Sequence, residues 1–215
     1  METKYTVATA MKEIGGLGKP SKMPGFSYSV PAQECKTGSK LVKVKGSVCY
    51  NCYALKGNYV RFPMVGKALY NRLDLVENNP KWVGAMAFLI NWYASKTTHF
   101  RWHDSGDIQS VKHLTKIVEV CKLTPNVKHW LPTREAKMVK EYLKDYGSFP
   151  SNLIVRVSAT MVDGEPHKFH EHTSTVVTSK SDKGYTCPAP TQGNECKDCR
   201  ACWDKRVSNV AYLEH

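Results

Sequence analysis

Apolar positions change their period twice along the 215-residue chain. Across MVGKALYNRLDLVENN (64–79), Val65, Leu69, Leu73 and Val76 recur at steps of three and four, which predicts a helix with one apolar stripe. Pro80 then opens PKWVGAMAFLINWYASK. Proline suits the first turn of a helix, and this second helix is apolar nearly all round, so it is expected to be buried. From residue 98 strands and helices alternate. THFRWH predicts a strand, DSGD a turn and QSVKHLTKIVEVCKL a helix. VKHWLP predicts the next strand, then a TRE turn and the helix AKMVKEYLKDYG; NLIVRVSA and TVVTS predict two further strands.

Strand–helix–strand repeats imply parallel strands joined by crossovers. Three or four units are too few for a closed eight-stranded barrel. The expected class is therefore α/β, a partial (βα) barrel or an open parallel sheet, with cysteine-rich segments at the N-terminal and C-terminal ends. Residues 1–62 are expected to form an extended segment with a three-cysteine motif, 63–180 the core and 181–215 a four-cysteine segment, packed together as one domain. Gly15, Gly16, Gly18, Pro20, Pro24, Gly25 and Pro31 predict loops or extended chain over residues 1–34.

Composition narrows the setting. Hydrophobic residues make up 41% and charged residues 23%, ordinary for a folded protein. The longest apolar stretch, VGAMAFLINWYA, is too short to span a bilayer, and METKYTVATAMKEIGG lacks the charged-then-apolar order of a secretory signal. A cytoplasmic protein with no membrane partner is expected. The net charge of +12 suits contact with a polyanion, and the Lys-rich stretch KTGSKLVKVKG lies near Tyr50, Tyr53 and Tyr59. A solvated Lys-rich surface is the plainer reading of the same charge.

Seven of the eight cysteines fall in two groups. In a reducing compartment such groups are metal ligands or redox centres more often than disulfides. Cys196, Cys199 and Cys202 form CxxCxxC, with Cys187-Pro188 upstream. Three closely spaced thiolates plus a fourth suit a [4Fe–4S] cluster better than tetrahedral zinc, which more often uses two separated pairs. Cys35, Cys49 and Cys52 form the other group. Three thiolates leave a cluster iron open, zinc could complete its shell with His103 or His129, and one site shared between both ends is a third arrangement. Cys121, among apolar helical neighbours, is expected in the core. His167, His170 and His172 are expected in a solvated loop.

Ligands of parallel sheets sit at the carboxyl ends of the strands. There the sequence delivers His103-Asp104-Ser105-Gly106-Asp107, then Thr133-Arg134-Glu135, then Ser158-Ala159-Thr160. Asp107 and Thr133 also suit helix capping, and Glu135 the first helical turn. His103 and Asp104 could form an acid/base pair and Arg134 an anion-binding fork, with Asp107 and Glu135 alongside.

CYNCYALKGNY, RWHDSGD, WLPTRE and ECKDCRACW together resemble phage-encoded cysteine-rich proteins of the gene product 88 type, which are similar in style to radical S-adenosylmethionine enzymes. The resemblance implies a partial βα barrel. Cys35, Cys49 and Cys52 would hold the cluster that binds S-adenosylmethionine, with Ser158 and Thr160 near the cofactor. Cys187, Cys196, Cys199 and Cys202 would hold an auxiliary [4Fe–4S] cluster. Three functions follow as expectations. The first is an iron–sulfur enzyme acting on a nucleotide or nucleic acid at the strand-end crevice, fed by an electron donor protein in the host cytoplasm. The others are a nucleic-acid-binding protein stapled by zinc or a cluster, and an electron-transfer module.

Overall fold

The computed structural model describes residues 5–180 and 183–214. Seven parallel strands make one open sheet: β1 (Phe26–Tyr28), β2 (His99–Trp102), β3 (Lys128–Thr133), β4 (Leu153–Val162), β5 (Thr173–Val177), β6 (Tyr185–Thr186) and β7 (Asn209–Leu213). Their order is β1-β2-β3-β4-β5-β7-β6, so the last strand enters between its two predecessors. The open parallel α/β sheet matches the expected class, with more strands than the periodicity revealed.

The expected helices are α4 (Pro63–Asn78), α5 (Trp82–Tyr93), α6 (Val111–Leu123) and α7 (Ala136–Tyr146). Pro80 does not open α5; the helix starts two residues later, after Lys81. Ser110 caps α6 by accepting from the His113 amide, so Asp107 is not the cap. Residues 1–62 are more structured than a looped segment. They include the helix α1 (Val7–Ile14) and the short helices α2 (Gly38–Leu41) and α3 (Asn58–Arg61), as well as β1. Thr6 and Thr9 close α1 reciprocally: each hydroxyl accepts from the other residue's amide.

Alternation along the strands sorts side chains between two faces. Phe100 and Trp102, Leu131, and Leu153, Val155 and Val157 join Tyr28 and the buried residues of α1 and α4–α7 in the main core. The intervening residues Arg101, Trp130 and Arg156 take the opposite face. Trp130 packs there with Val210, Ala201, Cys202 and Trp203.

Parallel strands need a crossover, usually a helix. Between β6 and β7 that connection, residues 187–208, contains 3-10 turns and no α-helix among its residues. The four-cysteine segment thus covers a sheet face that a helix would otherwise cover. It is held from beneath by Arg156. This buried guanidinium donates to the carbonyls of Ala201, Cys202, Asp204, Thr173 and Ser208 at 2.9–3.3 Å.

Candidate functional site

A cavity of about 730 Å³ opens at the carboxyl ends of the strands. Its floor is the sheet's polar face, with Arg101, Trp130, Ser158, Ser174 and Tyr212. Its wall is the segment carrying Cys35, Cys49 and Cys52. That wall is sewn to the end of β4: the Val48 amide donates to the Thr160 carbonyl at 3.0 Å, and the Val162 amide to the Gly46 carbonyl at 2.9 Å. Glu135 ties down its other side, accepting from the Thr37 amide and hydroxyl, both at 2.7 Å.

His103, Asp104, Asp107, Arg134 and Ser158 line this cavity together with the three cysteines. Glu135 and Thr160 do not line it. They brace the cysteine segment, Glu135 through its carboxylate and Thr160 through its carbonyl. Thr133 also stands behind the lining, where its hydroxyl donates to Asp107 at 2.6 Å and accepts from the Glu135 amide at 3.0 Å.

The loop after β2 places the candidate proton carriers. His103 has φ of +56°, a left-handed conformation that turns the chain sharply at the strand end. Its ring packs edge-on to His113, and both ring nitrogens lack partners among the described residues. Burial, with His113 and Arg101 nearby, pushes its pKa well below the ordinary value, so the imidazole is neutral. Gly106, at φ +77°, lets the loop pass within contact of Val30; a Cβ there would lie 2.4 Å from the Val30 carbonyl. Asp104 accepts from Ser29 and, at 3.4 Å, from Tyr59; the Tyr53 hydroxyl donates to its carbonyl. Burial raises Asp107 to about 6, against hydrogen bonds from the Arg134 amide, Thr133 and the Ile108 amide.

The cysteines are all free. Gly38 leaves a hollow between two of them: a Cβ there would lie 3.6 Å from Cys49 Sγ and 3.7 Å from Cys35 Sγ. Burial pushes Cys35 up, followed by the charges of Asp107, Cys49 and Cys52. Burial also raises Cys49, opposed by Arg134, whose buried Nε has no partner among the described residues. Thiols crowded together beside an unsatisfied cation are a donor set that a bound metal would turn to thiolate. Among the described residues, no three His, Cys, Asp or Glu side chains stand in an arrangement that would hold a metal ion as they are. The soft donors and the hollow fit such a group; the coordination shell is not drawn closed.

The other four cysteines lie outside the cavity lining. Cys187, Cys199 and Cys202 pack around Trp203 and Trp130. Cys196 raises its chain onto the Lys22 carbonyl at 2.8 Å and receives the Cys199 amide at 2.8 Å. Asn194 and Lys197 have positive φ, which folds this run into a tight knuckle. Burial raises Cys202 to about 12, although Tyr212 contacts its sulfur at 3.0 Å. The thiols that bear on Cys35 and Cys49 belong to the first group, and those that bear on Cys187, Cys196 and Cys202 to the second.

His129 is no partner for the first group. It is buried in the core, with Nε2 2.8 Å from the Thr124 hydroxyl and its ring stacked on Trp102. Cys121 is buried as expected. His170 and His172 are tied to carbonyls of Val155 and Lys205, more firmly than a solvated loop implies.

Sequence reasoning missed Arg101. Its guanidinium lies 4.7 Å over the Trp130 ring, beside Tyr53 and Asp104, and its buried Nε has no partner among the described residues. The signal was its alternation with Phe100 and Trp102, which sends it to the opposite face.

Fold and site define a mixed α/β protein with a cysteine-walled cavity at the carboxyl edge of an open seven-stranded parallel sheet. The chain belongs to the gene product 88 family, whose family model matches residues 2–205, a span that includes both cysteine groups. Neither the curated proteins nor the solved structures compared with it contain a match. No helix among the described residues is long and apolar enough to cross a membrane.

Proposed function

We propose that the protein is an iron–sulfur enzyme of radical S-adenosylmethionine type, with its reaction chamber in the strand-end cavity. The observation that supports this most is the convergence of three free cysteines, His103, Asp104 and Arg134 on one enclosure. Cys35, Cys49 and Cys52 would hold the cluster of the chamber, and Cys187, Cys196, Cys199 and Cys202 a second one. A cluster held by three thiolates supplies single electrons and leaves one iron open to the sulfonium cofactor. The chain's own residues have simpler tasks. Arg134, which lines the cavity, would bring positive charge to an anionic group. Neutral His103 brings to the chamber wall an imidazole whose ring nitrogens lack partners among the described residues. Tyr53 and Tyr59 hold Asp104 in place through their hydroxyls.

Anaerobic purification followed by iron and sulfide analysis and electron paramagnetic resonance tests the first part. Two clusters predict that Cys35→Ala loses about half the iron; full retention would reject a role for that group. Zinc in place of iron would reject the redox reading altogether. Dithionite-reduced protein given S-adenosylmethionine should release 5′-deoxyadenosine, and its absence with both clusters loaded removes the cofactor from the proposal.

A further inference from the structure

The wall of the cavity has an outer side as well as an inner one. Residues 35–67 contain seven cations, Lys36, Lys40, Lys43, Lys45, Lys56, Arg61 and Lys67, and no acidic residue. All seven are exposed. None of them makes an ion pair among the described residues; Lys56 reaches only the Asn51 carboxamide, at 3.1 Å. The nearest glutamates are already engaged, Glu34 by the Tyr70 hydroxyl and Glu135 by Thr37. Large apolar side chains stand among these charges. Tyr50, Phe62 and Met64 are 46%, 49% and 74% exposed, a costly display for residues of this kind unless something covers them. Gly46, Tyr50 and Asn51, within this cationic stretch, are exposed and also line the cavity, so the stretch reaches the cavity mouth.

We infer that this face binds a single-stranded polynucleotide and leads it to the cavity mouth. Unopposed cations select a polyanion. Exposed rings and an apolar side chain set among them select unstacked bases, which a duplex hides. An acidic protein would match the charge but would not need flat rings. A lipid surface would match charge and apolar groups, and it is separated by the test. The inference rests on the cavity reading, because it assigns that chamber's substrate class.

Fluorescence anisotropy with a labelled oligonucleotide of about 15 residues, single-stranded and then annealed, provides the measurement. Single strands should bind more tightly than the duplex, with affinity falling as salt rises. Lys43→Glu with Lys45→Glu should weaken binding at least about tenfold and flatten the salt dependence. Phe62→Ala should cost about fivefold or more on the single strand and little on the duplex. All three positions are exposed, so circular dichroism should show an unchanged fold. Equal affinity for duplex and single strand overturns the inference, as does binding indifferent to the lysine changes. Binding to phosphatidylglycerol vesicles, lost in the lysine variant, with no binding of oligonucleotide, would give the face to a membrane instead. Iron content is read on the same preparations. Iron without oligonucleotide binding defeats this inference alone, and oligonucleotide binding without iron defeats the cluster reading alone.

Discussion

The two cysteine groups are built on opposite plans. Cys35, Cys49 and Cys52 sit in a wall sewn by backbone bonds and one carboxylate to strand ends, and they face open space. Cys187, Cys196, Cys199 and Cys202 sit in a knuckle pressed on the sheet, backed by tryptophans and gripped through its carbonyls by Arg156. The difference teaches how open each is. A group that faces a cavity is accessible to a partner there, while one folded into a satellite core is enclosed by its own packing.

The largest expected effect should treat the two groups alike. His113 and His129 are buried in the common core, and burial lowers each from 6.5 to about 3. The folded state keeps both neutral, whereas the unfolded chain takes up protons below 6.5. Stability is therefore fully present above that pH and falls as pH drops toward 3. The loss is about 1.4 kcal/mol per pH unit for each, about 5 kcal/mol together between pH 6.5 and 4.5. Acid unfolding followed by tryptophan fluorescence should show it, and a flat stability across that window would refute the neutral imidazoles.

Arg156→Leu should then separate the groups. It strands five carbonyls and should cost at least about 3 kcal/mol in urea unfolding. Metal associated with the C-terminal cysteines should be lost while the cavity group keeps its own; equal loss at both would break the distinction. Glu135→Gln is the converse and milder change. It weakens the hold on Thr37, should cost about 1–2 kcal/mol, and should lower iron at the cavity group with the C-terminal one intact. The smallest effect is expected for Tyr212→Phe, about 1 kcal/mol, because it removes one hydroxyl from Cys202 without leaving a cavity. A much larger loss would mean that Tyr212 carries more of the knuckle than Arg156 does.

The middle of the chain was legible because its apolar runs have the lengths and spacings of regular strands and helices. A stripe at three and four residues gave α4, and the alternation of strand-like and helix-like segments gave α6 and α7 and β2–β5 with their polar ends. The ends resisted for identifiable reasons. β1 has three residues in a stretch rich in glycine and proline, and only pairing with Phe100–Trp102 makes it a strand. β7 follows a cysteine run whose metal-like spacing masks the apolar Val210 and Ala211. α1 was announced by Thr6 and Thr9, a pairing hidden among the glycines that follow. The strand-end rule placed His103, Asp104, Asp107 and Arg134 at the carboxyl edge, and all four line the cavity there. Glu135 and Thr160 stand behind the lining, because the rule says which residues reach the edge and not whether they face the cavity or the wall behind it. Arg156 was invisible: an arginine inside IVRVS reads as the solvent side of a strand, and only the carbonyls of residues 201–208 make its burial tolerable.

The strand order carries a last consequence, for the sequence of events during synthesis. β6 bonds to no strand of the sheet except β7, which lies 22 residues further along the chain and enters between β5 and β6. A growing chain can therefore pair β1 to β5 and bring up the three-cysteine wall, while the cavity floor at Tyr212 and the pairing of β6 both wait for β7. The knuckle closes only when β7 emerges. Assembly is thus ordered by topology with β7 last, so a chain stalled before β7 would carry the three-cysteine wall without a complete cavity floor and with β6 unpaired.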